Sequence, residues 1–87
     1  MIERTATVTN PLGVHARPAA QLVRLSNTFE SEILLVKDGV PVNGKSIMGV
    51  MMLAAECGST ITIRAEGGDA EAAVTALIDL IASGFGE

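Results

Sequence analysis

The sequence predicts an α+β fold. This is an open-faced β-sandwich whose four-stranded antiparallel sheet carries three helices on one face, in the order β-α-β-β-α-β-α. Three observations lead there. Apolar and polar residues alternate near the start of the chain and again over residues 60–65, the mark of half-buried strands. Apolar residues recur at steps of three and four over residues 18–29 and 74–81, the mark of helices with one buried face. Glycine, proline and asparagine punctuate the intervals. Such elements bury their stripes in two layers. The element order alone leaves open a ferredoxin-like arrangement with altered helix placement.

Ile2, Ala6 and Val8 alternate with Glu3, Thr5 and Thr7 in the first strand, and Asn10-Pro11-Leu12-Gly13 is turn chemistry. A helix is expected over residues 16–27. Pro18, Leu22, Leu25 and Phe29, with Ala19 and Val23, form its apolar stripe, and Arg17, Gln21, Arg24 and Thr28 form the opposite face. Ile33-Leu34-Leu35-Val36 is a strand covered on at least one face. Lys37-Asp38-Gly39 turns into a short strand over residues 40–42, where Pro41 places it at a sheet edge. Asn43-Gly44 turns again, and Ser46 caps a short helix over residues 47–53. Thr60, Thr62 and Arg64 alternate with Ile61, Ile63 and Ala65, the cleanest strand pattern in the chain. After Gly67-Gly68, Asp69 and Glu71 fall in the first turn of a last helix, where the helix dipole favours acids. Val74, Leu77, Ile78 and Ile81 are its core stripe, and Gly84 ends it.

The 87 residues are expected to form a single domain, residues 1–87, with no second one. A domain of that size buries only about 60% of its unfolded surface, which leaves no room for an enclosed cavity with a bound cofactor. With 48% hydrophobic and 18% charged residues, the composition reads as a packed core. No apolar run reaches the roughly 20 residues of a membrane span. The first residues lack a basic, apolar leader, so the expected location is the cytoplasm. The single cysteine, Cys57, excludes an internal disulfide and a cysteine-cluster metal site. It has no basic neighbour and is expected to pack as a small inert residue.

The net charge is −4 and the two phenylalanines are the only aromatics, which argues against nucleic-acid binding. The charge is unevenly placed. No acid lies between Arg4 and Phe29 or between Gly39 and Ala55, and those stretches hold Arg4, His15, Arg17, Arg24 and Lys45. Segments kept free of carboxylates suit an anion or an acidic partner.

His15, the only histidine, lies in Gly13-Val14-His15-Ala16-Arg17-Pro18-Ala19-Ala20, just where the first helix begins. The first amides of a helix have no internal partner and carry the positive end of its dipole, so helix starts receive phosphate readily. Pro18 suits the first turn, where its missing N–H is no loss. Arg17 adds a permanent cation able to bond two phosphate oxygens. The helix start and the guanidinium both disfavour imidazolium. The ring is therefore expected to be neutral at pH 7, titrating below the usual value of about 6.5. In most proteins a lone histidine at a helix start is an ordinary surface residue, but here each neighbour has a role in holding a phosphoryl group. No second histidine or nearby acid offers a triad or a metal site, although folding could bring a carboxylate in from elsewhere.

This segment resembles the histidine-containing phosphocarrier (HPr) family of the bacterial sugar phosphotransferase system. The resemblance spans all 87 residues, in length, element order and two motifs. Residues 13–20 match the histidine motif without a departure. Lys45-Ser46-Ile47-Met48-Gly49-Val50-Met51-Met52-Leu53 matches the serine motif at the family's usual distance. The resemblance implies a carrier without turnover of its own. His15 would accept a phosphoryl group on Nδ1 from phosphorylated enzyme I and pass it to a histidine of a sugar-specific IIA component. Ala16, Arg17 and Pro18 would surround the phosphate. A shallow site suits a carrier, because a deep clamp of several cations would hold the phosphate too well to release it.

Ser46 has a structural reading as an N-cap and a second reading from the family. In some bacteria a dedicated kinase/phosphorylase modifies this serine to regulate carbon use, and the added charge would repel an acidic partner. Residues 47–53 are apolar nearly all round, so some must face solvent or a partner. The resemblance implies that Ile47, Met48 and Met51 join Arg17, Gln21 and Arg24 in a docking face, with Val50 and Leu53 in the core. The resemblance also allows a C-terminal carboxylate near the histidine, but the Gly84-Phe85-Gly86-Glu87 tail is expected to be loose. A carrier that visits successive partners is expected to be monomeric. Two alternatives stay open: a carrier of the nitrogen-related branch, and a non-catalytic α+β binding module.

Overall fold

The computed structural model describes residues 1–87. Strand β1 (Ile2–Thr7) leads to helix α1 (Ala16–Ser26), then to strands β2 (Glu32–Lys37) and β3 (Val40–Asn43). Helix α2 (Ile47–Met52), strand β4 (Thr60–Glu66) and helix α3 (Ala70–Ala82) follow, and a single 3₁₀ turn at Gly84–Gly86 closes the chain. The four strands form one antiparallel sheet in the order β1-β4-β2-β3. The last strand is thus inserted between the first two, which settles the arrangement that element order had left open. The fold is the expected α+β open-faced sandwich.

Alternation decides which way each strand faces. Ile61, Ile63 and Ala65 of central β4 are fully buried, flanked by Ala6 of β1 and by Ile33 and Leu35 of β2. Val8, just past β1, continues that layer. Val50 and Leu53 from the α2 region and Val74, Leu77 and Ile81 of α3 close over this face. The outer face is polar: Thr5 stands opposite Thr62, and Glu3 opposite Arg64, which it pairs. Pro41 lies on edge strand β3, where a missing N–H is tolerated. Asp38 and Gly39 take φ of 53° and 77°, the left-handed pair that joins two strands with the right twist.

Four expectations need correction. The buried stripe of α1 runs through Pro18, Ala19, Leu22 and Ser26, while Leu25 and Phe29 are only half-buried against the core. Ser26 is buried beside Gly44, where a Cβ on the glycine would lie 3.4 Å from Ser26 Oγ and 2.8 Å from Ile33 Cγ2. Asp69 precedes α3 and makes no cap bond to it. Its carboxylate instead accepts from the amides of Glu30 (2.9 Å) and Ser31 (3.0 Å) and from the Ser31 hydroxyl. Cys57 is exposed rather than packed, its thiol 3.6 Å from the Thr9 carbonyl. The 84–87 tail is not loose. Gly84, Phe85 and Gly86 all take positive φ (71°, 59° and 75°), which folds the chain back and buries Phe85.

Candidate functional site

The loop from Asn10 to His15 is shaped by one glycine. Gly13 has φ +68°, and a Cβ there would lie 2.5 Å from the Ala55 carbonyl oxygen, so no other residue fits without displacement. Val14 N–H donates to that same carbonyl at 2.8 Å and Val14 is buried, which ties the loop to the segment between α2 and β4. His15 follows in extended backbone (φ −86°, ψ −168°) as the N-cap of α1. Its carbonyl accepts the first helical bond, from Ala19 N–H at 2.9 Å. The amides of Ala16 and Arg17 precede that bond and have no helical partner. No acid occupies the first turn to compete for them. Pro18 has no N–H and is buried, so its contribution is a preset φ that starts the helix and anchors it to the core.

The His15 side chain is 35% exposed, and its Nε2 lies 2.7 Å from Glu87 Oε2. The other carboxylate oxygen, Oε1, accepts from Asn10 Nδ2 at 2.9 Å. Asn10 is buried and gives a second bond to the Gly13 carbonyl at 2.6 Å. The Asn10 bond is the main reason the Glu87 carboxyl titrates below its usual range; His15 and Arg17 act in the same direction, and partial burial opposes them. The sequence reading set only the helix start and Arg17 against the ring's charge. The fold also places the Glu87 carboxylate against the ring. A carboxylate only accepts, so it holds the proton on Nε2 and leaves Nδ1 of the neutral ring with its lone pair free.

Arg17 and Arg24 are exposed on α1 and Gln21 is half-exposed between them, at helical steps of four and three. Gln21 and Arg24 line a shallow hollow with Leu25, Thr28 and Leu80. On α2, Ile47, Met48 and Met51 are exposed while Val50 and Leu53 are buried, as expected. Met52, not anticipated from the sequence, is 77% exposed and joins those three in one apolar hollow. Ser46 caps α2 and accepts from Gly49 N–H at 3.2 Å. Lys45, beside it, donates to the Phe29 carbonyl at 2.7 Å. No three His, Cys, Asp or Glu side chains converge as metal ligands, and no helix is long and apolar enough to cross a membrane.

The sequence gives no sign of Asn10's role, and a carboxylate near the histidine is allowed there only by the family resemblance. Asn10 was legible only as a turn residue, and Glu87 lies 72 positions from His15, where no periodic pattern reaches. Beside the C-terminal carboxylate that the resemblance allows, the available signal is a polar residue closing a Gly-Phe-Gly segment.

Residues 2–83 match the PTS-HPr family, described as the PTS HPr component phosphorylation site. Phosphocarrier protein HPr of Cupriavidus necator is 48% identical over 87 residues, covering all of this chain and 98% of that protein. Phosphocarrier protein NPr of Shewanella violacea is 38% identical over 86 residues, covering 99% of this chain and 94% of its own. The crystal structure of HPr-C-His from Thermoanaerobacter tengcongensis, 48% identical, superposes with a TM-score of 0.96 over 100% of this chain and 98% of that one. An HPr dimer from the same organism superposes at 0.80, with both chains fully covered. The chain belongs to the HPr family of phosphocarrier proteins.

Proposed function

We propose that this chain is a phosphoryl carrier of the sugar phosphotransferase system. It takes a phosphoryl group from phosphorylated enzyme I onto His15 and passes it to sugar-specific IIA components. The observation that carries this reading is the placement of His15. Its ring stands at the start of α1, next to two unpartnered amides and the exposed Arg17, with Nε2 held by Glu87. The attack is balanced simply. The Nδ1 lone pair forms the new N–P bond while the donor's N–P bond breaks, and the donor nitrogen leaves with the electron pair. The Ala16 and Arg17 amides and the Arg17 guanidinium face the charge on the transferred phosphoryl oxygens. The site is open and has one cation, so the group is held without being trapped.

Gln21, Arg24, Ile47, Met48 and Met51 form the docking face in this reading, and Met52 extends it. A mixed cationic and apolar surface suits partners with acidic rims, and methionine adapts to several of them. Ser46 is a candidate regulatory phosphorylation site for a kinase/phosphorylase, because its hydroxyl already sits at the start of α2. The carrier works as a one-domain monomer in the cytoplasm. The higher identity to HPr than to NPr favours the sugar branch over the nitrogen-related one.

The test is incubation with enzyme I and labelled phosphoenolpyruvate. Acid-labile, alkali-stable label that disappears in His15→Ala supports the carrier reading, and undiminished label in that variant defeats it. Failure of any phosphohistidine to form would favour a non-catalytic binding module. Gel filtration of the same sample, with elution as a dimer, would overturn the monomer assignment.

A further inference from the structure

Asn10 is buried and its carboxamide is used on one side only. Nδ2 donates to two acceptors, the Gly13 carbonyl at 2.6 Å and Glu87 Oε1 at 2.9 Å, while Oδ1 is buried with no partner. Turning the amide over would set its oxygen against two acceptors, so this orientation is forced despite the unsatisfied oxygen. The consequence passes to the next residue. One Glu87 oxygen is committed to Asn10, and the other is the atom that meets His15 Nε2 at 2.7 Å.

We propose that Asn10 is the positioning residue of the phosphoryl site: by requiring an acceptor at Glu87 Oε1, it seats the carboxylate so that Oε2 meets the imidazole and supports the Nε2–H tautomer of His15. The inference rests on the reading of His15 as phosphoryl acceptor, because that tautomer leaves Nδ1 unprotonated for attack. Asn10 touches neither the ring nor the phosphate. It acts through Glu87, and through the Gly13 carbonyl it also fixes the loop that delivers His15.

The geometry gives an unusual test. In Glu87→Gln, Asn10 still demands an oxygen, so the amide nitrogen of the new side chain must face His15 Nε2. A donor there moves the ring proton to Nδ1. With Asn10→Ala added, the amide is free to rotate and offers its oxygen to Nε2 again.

Ring tautomers are read from proton–nitrogen correlation spectra of the neutral ring. Wild type is expected to be Nε2–H, Glu87→Gln to become mainly Nδ1–H, and the double variant to return to Nε2–H. Phosphoryl acceptance from enzyme I should fall severalfold in Glu87→Gln and recover in the double variant. Equal tautomer ratios in Glu87→Gln with and without Asn10 would overturn the proposal. If Asn10→Ala does not fold, Glu87→Gln alone decides, because retention of Nε2–H in it contradicts control by Asn10. The tautomer measurement needs no phosphorylation, so it stands or falls separately from the carrier reading.

Discussion

Glu87 Oε2 lies 2.7 Å from His15 Nε2, joining residues 72 positions apart across the start of α1. The contact makes the imidazole part of a three-residue chain, Asn10–Glu87–His15, rather than an isolated ring on a helix start. In the neutral ring an acceptor at that nitrogen places the proton on Nε2 and leaves Nδ1 with its lone pair.

The contact gives the tail a measurable role. Glu87→Ala removes the acceptor from Nε2 and from the buried Asn10 amide, and the expected outcome is slower phosphoryl acceptance from enzyme I together with a lower unfolding midpoint. Leaving a buried N–H without its partner costs about 1 kcal/mol or more. Phe85→Ala acts differently. It empties a buried aromatic position and should cost about 3 kcal/mol or more, seen in urea unfolding.

Acid sensitivity follows from Asp69. Its carboxyl titrates below the usual 3.8, chiefly through the Ser31 hydroxyl bond, with the Glu30 amide next and partial burial opposing both. A depressed carboxyl stabilises the fold fully above its unfolded value and loses that contribution as pH falls through the folded one. Asp69→Asn should therefore lower stability at neutral pH and flatten the acid limb of the stability curve. An unchanged acid limb, measured by urea titration at a series of pH values, would contradict the assignment.

Gly13 sets the loop that delivers His15. Gly13→Ala forces a Cβ to within 2.5 Å of the Ala55 carbonyl oxygen at φ +68°. The expected cost is about 2 kcal/mol or more. Phosphoryl acceptance should fall as well, because the loop must shift to relieve the clash. Gly58 has φ +93° but open space around it. Gly58→Ala is thus expected to cost less and to leave phosphoryl acceptance intact.

At Ser46 the two roles separate by substitution. Ser46→Ala removes the cap on the Gly49 amide, and should cost about 1 kcal/mol with docking preserved. Ser46→Asp can keep the cap while adding charge, so stability should hold and affinity for an acidic partner should fall. Met48→Ala and Met52→Ala test the same surface. Both side chains are largely exposed, so binding to enzyme I should weaken while the unfolding midpoint stays within about 0.5 kcal/mol of wild type.

Much of this was legible in the chain. The β4 alternation around Ile61 and Ile63, the cap at Ser46, the edge position of Pro41 and the helix start at His15 are all local patterns, and each expresses a local preference that the packing did not override. The missing parts share a physical cause. Asp69 bonding Ser31 and Glu87 bonding His15 join residues far apart in sequence, and no periodicity encodes such a pairing. Glycines on both sides of Phe85 resemble a frayed end in the sequence, whereas their positive φ values turn the aromatic ring inward. Met52 and Cys57 show a smaller gap. In a short, nearly all-apolar helix the pattern cannot say which side is covered, and a lone cysteine carries no period at all.

The central claim is that phosphate is carried on the nitrogen of His15 that Glu87 leaves free. Phosphorus–nitrogen correlation in the phosphorylated, isotopically labelled protein tests it most directly. The account predicts coupling to His15 Nδ1 with Nε2 still protonated; coupling to Nε2, or phosphate on any other residue, would contradict it.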